Sequence, residues 1–376
     1  MLTNFGATEM DDKFNDLNWD ERTRLAIGTG KDGGANSRWE IYQQSESDGK
    51  CIMDRYANIK PWSQNRVKLA VPEGQFDYVN ASHIVLPSPS DPGRPPLKYI
   101  AMQGPTIPSI NYVWRMIAEQ APSPAVIVQL TPFIENGMVK CNQYFPDGDA
   151  DPLWNINTDD EWEDGWSADL KYEGREIFNE GAIERRQFSF HVTGEEEART
   201  VWHFLYCQWP DFGILTKTDL ASFFELMRLT REHSSPDGPR IVHCSAGVGR
   251  TGTFIALEHL IRELDCGALC DPVAVEGEVT PPKPPKSPRP DMIMCVVDTL
   301  RQQRKGMVQT EAQYRFIHHV IRDLWDERYG PPKDNSVDGD EAAADSYTDD
   351  SDTDMAGDGG ATLDPNETSA ASSPSG

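Results

Sequence analysis

The sequence predicts an α/β (α+β) protein, a twisted mixed β-sheet flanked by helices, on three observations. Short runs rich in β-branched and aromatic residues alternate with longer segments whose apolar residues recur at helical spacing. The stretch 241–252, IVHCSAGVGRTG, passes from a buried-strand pattern through small residues into a helical one. A chain of 376 residues is long enough to bury a large core.

In chain order, strands are expected at Lys98–Met102, Ala125–Leu130, Arg186–Val192 and Val201–Gln208, each carrying Val, Ile, Tyr or Phe in a short run. Helices are expected near Ser109–Gln120, Asp219–Arg231, Thr251–Leu264, Met292–Arg304 and Glu311–Asp326. Ile241 and Val242 close a further strand, so Cys244 sits on a strand–loop–helix junction.

Composition narrows the function classes. The formal charge of −26 argues against non-specific binding to nucleic acid or anionic membranes. The first residues, MLTNFGATEMDDKF, lack a basic segment followed by an apolar one, and no run of apolar residues is long enough to span a bilayer. Seven cysteines without framework spacing fit a reducing compartment, and Cys266-Cys270 lacks the partner pair of a zinc site. A cytoplasmic protein, with the nucleus as an additional location, is therefore expected.

Three stretches depart from this pattern. Residues 331–376 hold twelve acidic residues against Lys333 alone and are expected to be a disordered acidic tail. The acidic stretch 147–180 contains Trp154, Trp162 and Trp166 and is expected to fold back as a surface insertion, the tryptophans covering apolar ground. The insertion 265–291 includes VTPPKPPKSPRP, which is expected to be extended polyproline. Its Lys283, Lys286 and Arg289 suit an SH3-like partner at 280–290, although a solvated spacer has the same composition.

The chemistry concentrates at the junction. Loop N–H groups and the first turn of the following helix have no intrahelical partners, and the helix dipole adds positive charge there, so the junction is an anion site. Ser245, Ala246, Gly247, Val248 and Gly249 let the backbone curl around a small tetrahedral anion, and Arg250 offers a planar fork to two of its oxygens. Cys244 then lies at the floor, where positive potential lowers a thiol's pKa and makes it a standing nucleophile. A nucleotide-binding loop is excluded because no Gly-Lys-Ser/Thr follows the glycines. A buried structural cysteine beside a tight turn is the alternative, and the coincidence of Cys, glycines and Arg weighs against it.

Val201–Gln208 leads into Trp209-Pro210-Asp211-Phe212-Gly213, a turn-rich segment with one acid between two aromatics. When a thiolate displaces a phosphate ester the departing oxygen needs a proton, and Asp211, desolvated by Trp209 and Phe212, is expected to supply it.

VHCSAGVGRTGTF, WPDFG, DYVNASHI (77–84), YIAMQGP (99–105), KCNQYFP (140–146) and MVQTEAQYRF (307–316) resemble, in order, the motifs of the tyrosine-specific, non-receptor protein tyrosine phosphatases. The resemblance covers Arg38 to Tyr329, which implies a single catalytic domain over 36–330, preceded by a partly flexible segment 1–35. It implies that fold, hydrolysis of phosphotyrosine on signalling proteins through a cysteinyl-phosphate, and no cofactor or metal. Cys244 is implied as nucleophile, Arg250 as phosphate ligand and Asp211 as acid, then base. The same resemblance implies that Gln309 places the second-step water with Gln313, that Thr251 hydrogen-bonds the leaving sulfur, that His243 orders the loop and that Glu135 orients Arg250. The insertions resemble those of fungal or other lower-eukaryote members acting on kinases of stress or mating pathways.

Asp54-Arg55-Tyr56-Ala57-Asn58 resembles the family's recognition loop, whose tyrosine stacks on the substrate ring and deepens the cleft. The shorter phosphoserine cannot reach a thiolate at the bottom of such a cleft. Asn58 stands where the family usually has an acid that clamps peptide backbone, and Asp54 where it usually has Asn. The other readings are a dual-specificity or lipid phosphatase, against which stand Tyr56 and the lack of lysine in 245–249, and a catalytically dead phosphotyrosine-binding module, against which stands the full set of reactive residues.

Overall fold

The computed structural model describes residues 7–29, 37–43, 53–148, 150–267 and 291–330. The tail 331–376 and the SH3-like segment 280–290 lie outside the described residues. The centre of the molecule is a parallel group of strands: β3 (Leu97–Met102), β11 (Arg240–His243), β4 (Ala125–Gln129) and β10 (Arg199–Tyr206), in that spatial order. Antiparallel strands extend it on both sides. Beyond β3 lie β2 (Tyr78–Leu86) and β1 (Arg66–Lys68). Beyond β10 lie β9 (Ile183–Val192), β8 (Ala168–Phe178) and β7 (Leu153–Ile156). A separate hairpin pairs β5 (Ile134–Glu135) with β6 (Met138–Val139).

The period-two rule divides the core between the two faces of this sheet. Tyr99, Ala101, Val126, Val128 and Val242 pack on one face with α3 (Leu220–His233), α4 (Gly249–Asp265), α5 (Met292–Gln303) and α6 (Glu311–Tyr329). Ile100, Met102, Ile127 and Ile241 point the other way, to α2 (Ile110–Gln120). All four residues of β11 are buried, as expected of a strand covered on both sides, and its carboxyl end delivers Cys244 to the rim where α4 begins.

Two expectations change. The N-terminal segment is largely a helix, α1 (Ala7–Thr29), docked on α5 and α6. Phe14 and Leu17 enter the main core, Lys13 pairs with Asp291 at 2.9 Å, Arg24 with Asp298, and Asp11 with Arg315. A helix held so much by ion pairs shows too narrow an apolar stripe for its period to be read. The compact unit accordingly includes α1 rather than starting at residue 36. The acidic stretch 147–180 is no appendage either, because it supplies β7 and β8 to the main sheet. Trp162 is fully buried, its indole N–H donating to Phe76 O at 3.0 Å, and Trp154 and Trp166 pack against the same core.

Candidate active site

Cys244 follows β11 directly and is buried at the floor of the loop 244–248. Several contacts set the loop's curl. Gly247 adopts φ +73°, and a Cβ there would lie 2.0 Å from Met102 O, so only glycine fits against β3. Gly104 N donates to Ser245 O at 2.8 Å, and Gly252 N and Val308 N both donate to Val248 O, at 2.9 and 3.2 Å. Beneath the loop, His243 is buried between Tyr144 OH, 2.8 Å from Nε2, and Cys244 O, 3.1 Å from Nδ1. Burial pulls its pKa down to about 4, so the ring is neutral, donating from Nδ1 to the carbonyl and accepting from the tyrosine.

The Cys244 thiol is shifted below its ordinary value. Burial alone acts upward, but the Arg250 charge, the Thr251 hydroxyl and the backbone N–H groups of Thr251 and Gly247 outweigh it. Thr251 Oγ1 is buried without an oxygen or nitrogen partner, which leaves its hydroxyl for the sulfur. Cys141 shows the opposite behaviour, since burial pushes its thiol up to about 12 against a weaker pull from Arg55.

Arg250, almost wholly buried, donates from Nη1 to Trp209 O at 2.9 Å and from Nη2 to Glu135 Oε2 at 3.0 Å and Asp211 Oδ1 at 2.7 Å. Glu135 Oε1 in turn accepts from Asp211 N at 2.9 Å. The hairpin β5–β6 thus ties the arginine to the acid-bearing segment, while Lys140, just beyond the hairpin, pairs with Asp211 Oδ2. The surroundings of Asp211 differ from those the sequence suggested. Trp209 turns into the core, 5.1 Å from the Phe223 ring, and Phe212 is 57% exposed, so two cations rather than two aromatic rings flank the carboxyl.

On the far side Tyr56 OH lies 2.8 Å from Ser245 Oγ, which leaves the ring standing as a wall of the cleft. Arg55 fixes that wall by donating to Gly104 O, Pro105 O and Asn142 Oδ1. Asp54 accepts from Tyr78 OH at 2.5 Å and Asn80 Nδ2 at 2.8 Å; both neighbours are donors, so an acceptor-only side chain suits the position. Asn58 is exposed, and its carbonyl accepts from Lys305. The glutamines close the third side. A Cβ on Gly249 would meet Gln309 Oε1 at 3.2 Å and Gln313 Nε2 at 3.1 Å, so the glycine makes room for both amides beside the loop.

Every site residue expected from the sequence therefore converges on one cradle. Two that the structure adds are Lys140 and Arg304. Arg304 is fully buried and donates to Gly247 O, Ala246 O, Asn80 Oδ1 and Ser82 Oγ, so it braces the loop from below. Burial draws its pKa down to about 10, which leaves it charged at neutral pH. Lys140 lies inside the matched motif KCNQYFP and was open to recognition there. The only sign of Arg304 in the sequence was a charge at the end of a helical pattern.

An acidified thiol under a nest of N–H groups, beside an arginine clamped by carboxylates, is the equipment of a cysteine-dependent phosphatase. The protein-tyrosine phosphatase family model matches residues 51–323, and the chain belongs to that family. It is 32% identical over 330 residues to tyrosine-protein phosphatase 1 of Saccharomyces cerevisiae, covering 84% of this chain and 94% of that protein. It is 33% identical to tyrosine-protein phosphatase 2 of Schizosaccharomyces pombe, covering 82% of this chain and 38% of that protein. Among solved structures, PTPN18 in complex with HER2 phosphopeptides matches with a TM-score of 0.60 and 26% identity, over 84% of this chain and 99% of that one. The catalytic domain of human non-receptor type 18 phosphatase matches with a TM-score of 0.58 and 25% identity, over 84% and 96%. The protein is a hydrolase acting on phosphotyrosine. No helix among the described residues is long and apolar enough to cross a membrane.

Proposed function

We propose that catalysis runs through two displacements at Cys244. The observation that carries this is the thiol itself, buried yet shifted toward the thiolate by Arg250, Thr251 and the loop N–H groups. The phosphoryl group enters the nest and takes the place of Asp211 on Arg250, the S–P bond forms, and the tyrosine oxygen leaves with a proton from Asp211, which acts in its carboxylic-acid form once released from that pair. Water placed by Gln309 and Gln313 then attacks phosphorus, giving its proton to Asp211, while Thr251 stabilises the returning thiolate. The bond that Asp211 N donates to Glu135 ties the acid's backbone to the residue that also holds Arg250. Tyr56 sets the depth that admits phosphotyrosine and leaves phosphoserine short of the sulfur. The substrates proposed are phosphotyrosine proteins of the cytoplasm or nucleus, among them kinases of stress or mating pathways, by analogy with lower-eukaryote members; the SH3-like partner at 280–290 rests on composition alone.

Cys244→Ser is the test. Turnover of para-nitrophenyl phosphate should vanish while phosphotyrosine-peptide binding persists, because the nest is intact and a hydroxyl is a poor nucleophile near pH 7. Substantial residual turnover would overturn the mechanism.

A further inference from the structure

Away from the cradle, a groove of about 800 Å³ opens between the N-terminal end of α2 and the acidic stretch. One wall is all four residues of β7, Leu153–Ile156. This strand is the last of the nine and pairs only with β8, so its outer backbone edge is unpaired by any other strand among the described residues. An open edge offers a row of N–H and C=O groups to another extended chain. Exposed apolar side chains flank it: Ile107 is 71% exposed and Leu153 46%.

The groove also has a sign. Asp151, Asp159 and Glu161 line it, and no lysine or arginine does. The cradle differs in holding cations: Arg55, Lys140 and Arg250 surround it, the last two paired with Asp211 and Glu135. The two are continuous through a short piece of chain: Gly104 N holds Ser245 O at 2.8 Å, and Ile107, on the groove wall, follows three residues later. Three residues span at most about 10 Å. Met53, which precedes the recognition loop, is part of the same wall, and its carbonyl accepts from Gln103 and Thr106.

We propose that the groove docks an extended segment of the phosphotyrosine substrate that carries Lys or Arg and one apolar anchor, laid as an added strand along β7. The groove and the cradle then sort a single peptide by charge, phosphate to one and basic side chains to the other. Complementary charge selects this occupant over an acidic or neutral one, and the unpaired edge selects an extended backbone over a helix. The proposal rests on the reading of Cys244 as a phosphotyrosine-directed nucleophile.

The test compares kcat/KM for a short phosphotyrosine peptide with that for the same peptide extended, through a Gly/Ser linker, by a Lys-Arg-Val-Leu segment on its N-terminal or its C-terminal side. All rates are normalised to para-nitrophenyl phosphate, so a failure of the Cys244 reading appears in that denominator and a failure of the groove appears only in the ratio. In the native protein one extension should raise kcat/KM about tenfold, mainly through KM, equivalent to about 1.4 kcal/mol. The gain should shrink toward unity in the Asp151→Asn/Asp159→Asn double variant, at high salt, and when the segment is N-methylated at alternate residues so that it cannot add as a strand. A ratio near one for both extensions in the native protein overturns the proposal. So does a gain that survives the double variant or the N-methylated backbone.

Discussion

Glu135 Oε2 lies 3.0 Å from Arg250 Nη2, and the other oxygen of the same carboxylate accepts from Asp211 N at 2.9 Å. The hairpin therefore orients Arg250 and Asp211, the proposed phosphate ligand and general acid, with one side chain. Glu135→Gln keeps the shape but loses the charge, and Glu135→Ala frees both partners. The expected losses in kcat on para-nitrophenyl phosphate are about tenfold and about a hundredfold. Equal, small effects from both substitutions would show that Trp209 O and Asp211 hold Arg250 without Glu135.

The downward shift of Cys244 fixes the pH behaviour of its alkylation. The reacting species is the thiolate, so the rate with iodoacetamide should rise through a pH below the ordinary thiol value, while Cys141, pushed up to about 12, stays inert. Thr251→Ala and Arg250→Ala each remove a group that lowers the thiol, so each should move the midpoint upward. Peptide mapping by mass spectrometry identifies the labelled residue, and an unmoved midpoint in both variants would contradict the stated causes.

Tyr56 combines a ring wall with one hydroxyl contact, 2.8 Å from Ser245 Oγ. Tyr56→Phe keeps the ring and should change kcat/KM on a phosphotyrosine peptide by about fivefold or less. Tyr56→Ala should raise KM on that peptide about tenfold or more and narrow the preference over phosphoserine. The comparison of the two peptides across both variants separates stacking from hydrogen bonding.

Gly249→Ala places a methyl group 3.1 to 3.2 Å from the two glutamine amides. Displacing them should slow the second displacement more than the first. Stopped-flow release of nitrophenol should then show a burst equal to the enzyme concentration, followed by turnover roughly tenfold slower than in the native protein. A proportional loss in both phases would mean that the methyl disturbs the nest itself.

Much of this was legible in sequence because the determinants are local. IVHCSAGVGRTG carries its strand, its turn glycine and its helix start in consecutive residues, and the structure assembles them at that junction. The central strands were readable for the same reason, as short apolar runs buried on both faces. What escaped was fixed at long range. Arg304 serves backbone carbonyls 57 and 58 residues distant and the side chains of Ser82 and Asn80, 222 and 224 residues away, partners that no local pattern joins to it. The polar surroundings of Asp211 depend on Lys140 and Arg250 arriving from other elements, whereas its aromatic neighbours in sequence turn away. The strand Ala168–Phe178 lies among acidic and polar residues because one side of it faces solvent for much of its length.

The docked N-terminal helix bears on how this enzyme can be divided or transplanted. Glu21 accepts from Gly306 N at 2.8 Å and Asn18 from Arg301, so α1 steadies the loop between Arg304 and Gln309. The family match begins only at residue 51 and stops at 323, inside α6. Cutting at those limits would strip Phe14 and Leu17 from the core and release the segment that carries both Arg304, the brace under the cradle, and Gln309, the glutamine proposed to place the water. The module that the family model matches is thus smaller than the mechanical one, and a fusion partner or a proteolytic nick before residue 30 should act on turnover from the opposite face of the sheet to the groove beside α2.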